Sequence, residues 1–331
     1  MSAAILTDHL GNQLTASDGA ILVDGSTLPP PPPAPAPPLG GLSVLDPDGI
    51  EHSLTDGFPL FVLLGLEGLH MPPVDLIEEN VPRQPGGRLR EVRFLAREID
   101  VPLRLLAATP AALAASVRTL LGWFNPTRAV APVLRFTAPD GAQREIAVRY
   151  VKGLDFNDDL GAWRTDRRTT LVLRAHDPFW YDRNERGGVY RLGEWQDRFF
   201  PLPPLRLTPS TVFAGPTILN DGDVDAWPVW TIAGPGVNPM IRNLTTGKAL
   251  TLTGTLVAGQ TLTIDTRPRT ERAPYGKTLR LQDGANWLPN LAPGSALWPL
   301  ARGANAVQIE LTGATSQSAV SYSLRPPYLS I

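Results

Sequence analysis

The stretch LREVRFLAREIDVPLRLLA, Leu89 to Ala107, contains an alternating apolar pattern that indicates β-structure. Its apolar residues first fall on even positions, at Val92, Phe94 and Ala96, and then on odd positions from Ile99 to Leu105. A period of two is typical of a strand with one buried face, and a change of parity turns the opposite face inward. The pattern therefore predicts two strand segments joined by a bulge or tight bend near Arg97–Glu98.

The sequence that follows predicts one helix, over residues 110–124. Thr109 suits the N-cap position, and Pro110 suits the first helical position. Asn125-Pro126 then ends the helix, because a residue before proline avoids the helical conformation. A single apolar stripe is expected at Leu113, Val117, Leu120, Leu121 and Phe124.

Strand patterns dominate the rest of the chain. The run TTLVLRAHDP ends a first block at residues 41–183, which we expect to be an antiparallel β-sandwich carrying the helix. Residues 184–225 are expected to be a connector. In residues 226–331, alternating apolar pairs lie between glycine turns, which predicts a second antiparallel sandwich. The predicted fold class is mainly β, with two sandwich domains.

Two segments depart from this plan. Residues 1–40 contain PPPPPAPAPP, Pro29 to Pro38, which predicts a stiff polyproline rod. The rod either spaces an N-terminal arm from the body, which we favour, or serves as a ligand for an aromatic groove. Met71 to Arg88 is polar and rich in proline, so it is expected to be a long loop or hairpin excursion. Such an excursion is a candidate intersubunit element.

Composition excludes several classes of function. The 331-residue chain has no cysteine, which removes disulfides and thiolate chemistry, and its net charge of -2 offers no basic surface for nucleic acid. No apolar run approaches the length of about 20 residues that crosses a bilayer. The N-terminus lacks the features of a secretory signal. A soluble protein made in a cytoplasm is expected.

The most suggestive candidate for chemistry is RAHDPFWYD, Arg174 to Asp182. Strand alternation places the side chains of His176 and Asp177 on opposite faces, so they are not expected to form a catalytic dyad. Asp177-Pro178 predicts a turn, and the aromatic residues that follow predict an apolar plug. We therefore interpret Asp177, Pro178 and Trp180 as a structural seam between the two modules.

Other candidates fail on their chemistry. NDGDVDAW resembles a calcium loop, but Ala226 and Ile232 stand where an EF-hand needs glycine and glutamate. The adjacent acids Asp158-Asp159 and Glu78-Glu79 are more typical of exposed turns than of glycosidase pairs. Trp287 and Trp298 suit either a sugar platform or a core, and we favour the core. No catalytic, metal or cofactor-binding residue is predicted, and no enzyme.

The ordered motifs resemble those of phage distal tail proteins. The MPPV segment, the long polar loop and the helix ending in NP match the N-terminal domain of that family, and HDPFWYD is similar to its strand end. NDGDVDAWPVWTIAGPGVNP, LVAGQTLTIDTRPRT and the final YSLRPPYLSI resemble its C-terminal half. The resemblance spans about residues 41–331, and the proline-rich residues 1–40 depart from it.

This resemblance implies a belt-like first domain, a galectin-like second domain and a homo-hexameric ring. The ring would lie in the virion tail, between the tail tube protein and a tail-tip hub or tail-associated protein, after assembly in the bacterial cytoplasm. Because a ring that passes DNA should not hold it tightly, Asp75, Glu78 and Glu79 are candidate lumen-facing acids. Two alternatives remain: a carbohydrate-binding module that uses the C-terminal sandwich to read host glycans, and a cell-wall hydrolase, which the lack of an acid/base pair disfavours.

Overall fold

The computed structural model describes residues 41–55, 59–80, 86–156, 165–191, 212–270 and 276–331. The N-terminal residues 1–40 and the pair Asp158-Asp159 lie outside the described residues. The described chain is mainly β, and its strands pair antiparallel throughout. None of its helices is long and apolar enough to span a membrane.

In the first half of the chain, the described residues form eleven strands and helix α1 (Pro110–Trp123). These strands are β1 (Gly41–Leu45), β2 (Glu51–Ser53), β3 (Leu60–Val62), β4 (Val74–Asn80), β5 (Gly87–Phe94), β6 (Arg97–Leu106), β7 (Val133–Thr137), β8 (Gln143–Ala147), β9 (Arg149–Lys152), β10 (Asp166–Ala175) and β11 (Trp180–Asp182).

The part of the second half that the structure describes forms twelve strands and one 3-10 turn at Leu288–Asn290. These strands are β12 (Arg186–Arg191), β13 (Val212–Ala214), β14 (Thr217–Asn220), β15 (Val229–Ala233), β16 (Gly236–Asn243), β17 (Ala249–Thr251), β18 (Thr255–Leu256), β19 (Thr261–Asp265), β20 (Thr278–Leu281), β21 (Gly303–Thr312), β22 (Ala319–Leu324) and β23 (Pro327–Tyr328).

Two sheets enclose the first core. One has the order β2-β1-β7-β8-β11-β23 and the other the order β3-β6-β10-β9. Strand β6 shows the expected odd-position burial from Ile99 to Leu105, and β10 buries Leu171, Leu173 and Ala175 against it. A single apolar cluster joins both sheets and the helix, which is the arrangement of a sandwich.

The change of parity does mark a break between two strands, β5 and β6, but the two strands belong to different sheets. Strand β5 ends at Phe94 and β6 begins at Arg97, so the break lies just before the predicted position. Val92 was expected on a core face, yet its side chain is 46% exposed. The reason is that β5 belongs to a separate two-stranded sheet with β4, and only β6 enters the sandwich. The excursion is thus a β-hairpin.

Helix α1 begins as predicted. The Thr109 side chain accepts a hydrogen bond from the Ala112 amide at 3.2 Å. Leu113 and Leu120 are buried, but Leu121 is 44% exposed, so its place in the predicted stripe was wrong. Eight residues at about 100° each put Leu121 well to the side of Leu113, whereas Leu120 returns to the same face. The helix ends at Trp123, with Phe124 as its cap.

The second core also lies between two sheets. One has the order β12-β22-β15-β19-β20, and the other the order β13-β21-β16-β17, with β14 beside β21 and β18 beside β16. Trp230, Ile232, Leu262 and Ile264 are fully buried, as their alternation predicts. Trp287 and Trp298 pack in this core, being 9% and 2% exposed.

The range 184–225, expected to be a connector, supplies strands to the second sandwich. Strand β12 pairs with β22, and β13 and β14 pair with β21. Gly187 and Gly188 obscure the alternation in β12 because they add no side chain to the pattern. Conversely, the C-terminal β23 returns to the first sandwich, where it pairs with β11. Residues 40–331 form one compact unit. The domain boundaries drawn from the sequence stay a prediction.

Candidate functional site

The turn after β10 is built around Asp177. One carboxylate oxygen accepts the Phe179 amide at 3.4 Å, and the other accepts the Tyr181 hydroxyl at 2.9 Å. Asp177 therefore fixes a turn of the kind that an Asp-Pro pair favours. Pro178 is buried within this turn. His176 is exposed at the end of the strand.

Trp180 fills the first core beside the returning C-terminus. Its side chain is 0% exposed, and its indole Nε1 donates to the Leu69 carbonyl at 3.0 Å. In the sheet it lies opposite Tyr328 of β23. A buried tryptophan with a satisfied N–H contributes both a large apolar area and a specific orientation. Trp180 thus connects the end of the first sandwich with the loop at Leu69 and with the C-terminal strand β23.

Arg97 is a buried cation in the same region, and its role was not predicted. Its side chain is 1% exposed and donates to the carbonyls of Gly68 at 3.1 Å and Leu329 at 2.9 Å. Burial lowers the pKa of Arg97 to about 10, and the charge of Asp177 opposes that shift. Its position was readable from the sequence, because Arg97 shares the odd parity of Ile99 and Val101.

Gly68 is required where Arg97 binds. Its φ is +79°, a conformation that side-chain-bearing residues rarely adopt, and an added Cβ would lie 1.9 Å from the Glu98 carbonyl oxygen. Only glycine therefore lets the loop approach β6 closely enough for its carbonyl to accept from Arg97.

The C-terminal segment contacts both halves of the protein. The Asp223 amide donates to the Pro327 carbonyl at 2.9 Å, and the Leu329 amide donates to the Asp223 carboxylate at 3.0 Å. His70 of the first half lies 2.7 Å from the Ser330 hydroxyl. The Arg144 guanidinium stacks 3.9 Å above the Tyr328 ring. Residues 325–331 therefore act as a strap between the sandwiches.

A row of ion pairs runs beside the strap. Arg135 donates to the Glu145 carboxylate at 2.7 Å and 3.0 Å, and both side chains are largely buried. The other oxygen of Glu145 lies 3.4 Å from Arg325, which also approaches Glu185 at 3.3 Å. Arg325 and Glu185 belong to the second half of the chain, so the row crosses from one sandwich to the other. Alternating charges of this kind favour one relative placement of the two cores.

The ion pairs border a cleft between the sandwiches. Its volume is about 690 Å³. Val133, Ala147 and Phe179 line it from the first half, and Trp227, Arg267 and Leu324 line it from the second. The cleft is mostly apolar, and Arg267 is held by Asp265 at 2.7 Å. Among the described residues, no group of three or more metal-ligating side chains is present.

The three predicted lumen acids all lie on the β4–β5 hairpin, but not on one face. Val74, Leu76 and Glu78 pair with Phe94, Val92 and Leu89 and share one face. Asp75 and Glu79 pair with Arg93 and Arg88 on the opposite face, and Glu79 also forms an ion pair with Arg90. The structure therefore places Asp75 and Glu79 on one face of the hairpin, four residues apart along β4, and Glu78 on the other face.

The first of these faces is apolar and uncovered. Val74, Leu76, Leu89 and Val92 are 44%, 52%, 54% and 46% exposed. At its base, Phe94 meets Phe179 edge-to-face at 5.3 Å between ring centroids. An isolated two-stranded hairpin is only marginally stable in water. A contiguous exposed apolar strip on such a hairpin is typical of a protein–protein contact surface.

Fold and surface together describe a mainly β protein with an exposed apolar strip on a two-stranded hairpin. Residues 221–325 match the SPP1_Dit family, described as the siphovirus-type tail component, C-terminal domain. The comparison with curated protein sequences gives no match.

Solved structures extend this likeness to most of the chain. The SPP1 Dit (gp 19.1) protein, described as a paradigm of the hub adsorption apparatus in phages infecting Gram-positive bacteria, matches with a TM-score of 0.59 and 16% identity over 86% of this chain and 98% of its own. Two chains from the phage P2 baseplate, in its activated conformation with Ca or Sr, each match with a TM-score of 0.50 and 10% identity. They cover 88% and 87% of this chain and 100% and 98% of their own.

At these identities the structural matches show the fold. The resemblance to phage distal tail proteins is thereby confirmed by the family match over residues 221–325, and most of the chain shares the fold of the SPP1 Dit protein.

Proposed function

We propose that this chain is a non-enzymatic structural component of a phage tail, located at the distal end. Identical copies form a ring, six by the resemblance to distal tail proteins, that joins the tail tube to the tail-tip hub. The family match and the shared fold support this assignment. The ring is assembled in the host cytoplasm and becomes part of the virion.

The observation that carries the proposal is the uncovered β4–β5 hairpin. In the described part of the chain, β4 and β5 pair only with each other, so each has a free edge. Strand edges present unpaired N–H and C=O groups that pair readily with another chain. The apolar face of the same hairpin lacks an intramolecular cover except near Phe179. A neighbouring copy supplies both missing contacts.

The rest of the molecule holds this hairpin in place. Both strands of the hairpin join the first sandwich close to Gly68, Leu69 and Arg97, the residues that the strap and Trp180 secure. We propose that the seam residues Asp177, Pro178 and Trp180 thereby set the angle of the hairpin relative to the ring. In the ring, Asp75 and Glu79 face the lumen with the charged face, and Glu78 faces away from it.

One substitution tests the hairpin directly. Leu76→Asp places a charge at the centre of the apolar face, so a closed ring is expected to give way to monomers. The folded state should be unaffected, because Leu76 is 52% exposed within one chain. Mass photometry measures the assembly, and circular dichroism checks the fold.

Leu244→Asp provides the matched control. Leu244 is 53% exposed and lies in the second half of the chain, away from the hairpin. This variant is expected to assemble like the wild type. If Leu76→Asp assembled equally well, the hairpin would not be the contact between copies.

Nothing in the described residues favours the carbohydrate-binding alternative through Trp287 and Trp298. Both indoles are buried in the second core, so neither presents a ring face to a sugar.

A further inference from the structure

The two strands of the hairpin carry opposite charge. Strand β4 contains three acids and no base, and they are Asp75, Glu78 and Glu79. Strand β5 contains three bases and one acid, and these are Arg88, Arg90, Arg93 and Glu91. The side chains are accessible: Glu79 is 46% exposed, Arg90 51% and Arg93 58%. Each free edge of the hairpin therefore has its own sign of charge.

The order of the charges along the strands also matters. Inside the hairpin, Asp75 lies opposite Arg93 near the base, and Glu79 lies opposite Arg88 near the turn. When a second hairpin is placed beside the first by rotation about an axis along the strands, β5 of one copy runs antiparallel to β4 of the next. Residues at the same distance from the turn then lie side by side, so the acids near the turn of one copy face the arginines near the turn of the next.

The other two pairings of edges are unfavourable. A contact between two β4 edges sets three acids against three acids, and a contact between two β5 edges sets three arginines against three arginines. Like charges directly opposite each other destabilise a strand pair. A twofold contact of equal edges is thus disfavoured, while the head-to-tail contact, which is the kind that closes rings, is favoured.

We propose that the acidic β4 edge and the basic β5 edge make this hairpin a polar connector that accepts a second copy of the same chain in the head-to-tail orientation only. This inference rests on the proposed ring, and it adds the rule that determines which surfaces of two copies meet. The apolar face supplies affinity in any orientation, whereas the charges select the orientation.

A charge-swapped chain tests this rule without weakening the hairpin itself. The swapped chain reverses all seven charged residues of the two strands: Asp75→Arg, Glu78→Arg, Glu79→Arg, Arg88→Glu, Arg90→Glu, Glu91→Arg and Arg93→Glu. Each intramolecular pair is kept with its sign inverted, and so is each head-to-tail pair between swapped copies. The swapped chain is therefore expected to assemble alone as the wild type does.

Mixing the two chains gives the decisive result. In every mixed contact, acids meet acids or arginines meet arginines, so mixed interfaces should be disfavoured by about tenfold or more. With wild-type and swapped chains of distinguishable mass, native mass spectrometry after unfolding and joint reassembly at low salt is expected to show two homotypic rings. At about 1 M salt, where screening acts over roughly 3 Å, sorting should weaken and mixed rings should appear.

The outcomes separate this rule from the proposed function. Wild-type rings with statistical mixing at low salt would overturn the rule and leave the ring intact. Wild-type rings together with a folded but monomeric swapped chain would overturn it as well, because every predicted pair is present in that chain. Failure of the wild type to form any ring would instead contradict the proposed function.

Discussion

Replacing Trp180 with alanine is expected to lower the free energy of unfolding by about 3–5 kcal/mol. The side chain is 0% exposed in the first core and lies between the helix-bearing sandwich and the C-terminal strap. Its removal leaves a large cavity and takes the donor from the Leu69 carbonyl. Denaturant unfolding followed by circular dichroism measures the change.

Two further variants make this prediction specific. Trp180→Phe keeps most of the apolar volume and loses the N–H donor, so an intermediate loss is expected. His176→Ala, at an exposed position four residues away, is expected to change stability by no more than about 0.5 kcal/mol and to assemble normally. A Trp180→Ala chain as stable as the His176→Ala chain would show that Trp180 does not hold the seam.

A chain shortened to Pro326 is expected to lose about 3 kcal/mol or more of stability in the first sandwich. The truncation removes β23 and the Leu329 carbonyl that accepts from Arg97. A hydrogen bond to a charged group contributes about 1.5–3 kcal/mol, and two further hydrogen bonds with Asp223 are lost. Arg97 would also keep a buried charge with one partner fewer.

The truncation should also divide the unfolding transition. The strap connects the two cores, so its loss lets the first sandwich unfold at lower denaturant than the second. Tryptophan fluorescence and hydrogen exchange of the two halves report this separation. Ser330→Ala removes the hydroxyl contacts with His70 and with the Ile331 carbonyl but leaves β23 in place, so it should keep one transition. A single, unshifted transition for the truncated chain would contradict the role of the strap.

The periodicity of apolar residues and the capping residues predicted those features that depend on neighbouring residues, namely where the helix begins and which face of a strand is buried. Thr109 and Pro110 determine the start of the helix, and the odd positions from Ile99 to Leu105 determine the buried face of β6. These features follow from neighbouring residues and from the burial of one face. The same logic placed Trp230 and Ile232 in the second core.

The sequence patterns could not predict which strands pair when they lie far apart in the chain. Strand β12 pairs with β22, more than 120 residues later in the chain, and β23 returns to β11. A short stretch of sequence does not indicate which distant strand it will pair with. Val92 illustrates the same difficulty. The apolar alternation around Val92 indicates a strand, but it does not show whether that strand joins the core or a separate hairpin.

The candidate site was predicted in part. Asp177, Pro178 and Trp180 form the turn and the buried plug that their sequence suggests, and their role in assembly stays a proposal. Arg97 was missed, because a charged residue at a core position usually signals the end of a buried face. Here the carbonyls of Gly68 and Leu329 solvate the guanidinium, and neither is visible from residue types.

The most direct test of the central claim is electron microscopy of the purified full-length chain. We expect a closed ring of identical copies, with the β4–β5 hairpins around the inner opening and the second sandwiches outside. A chain that stays monomeric at all concentrations would show that the protein does not form this ring. So would a ring with the hairpins on its outer wall, where Asp75 and Glu79 could not line a lumen.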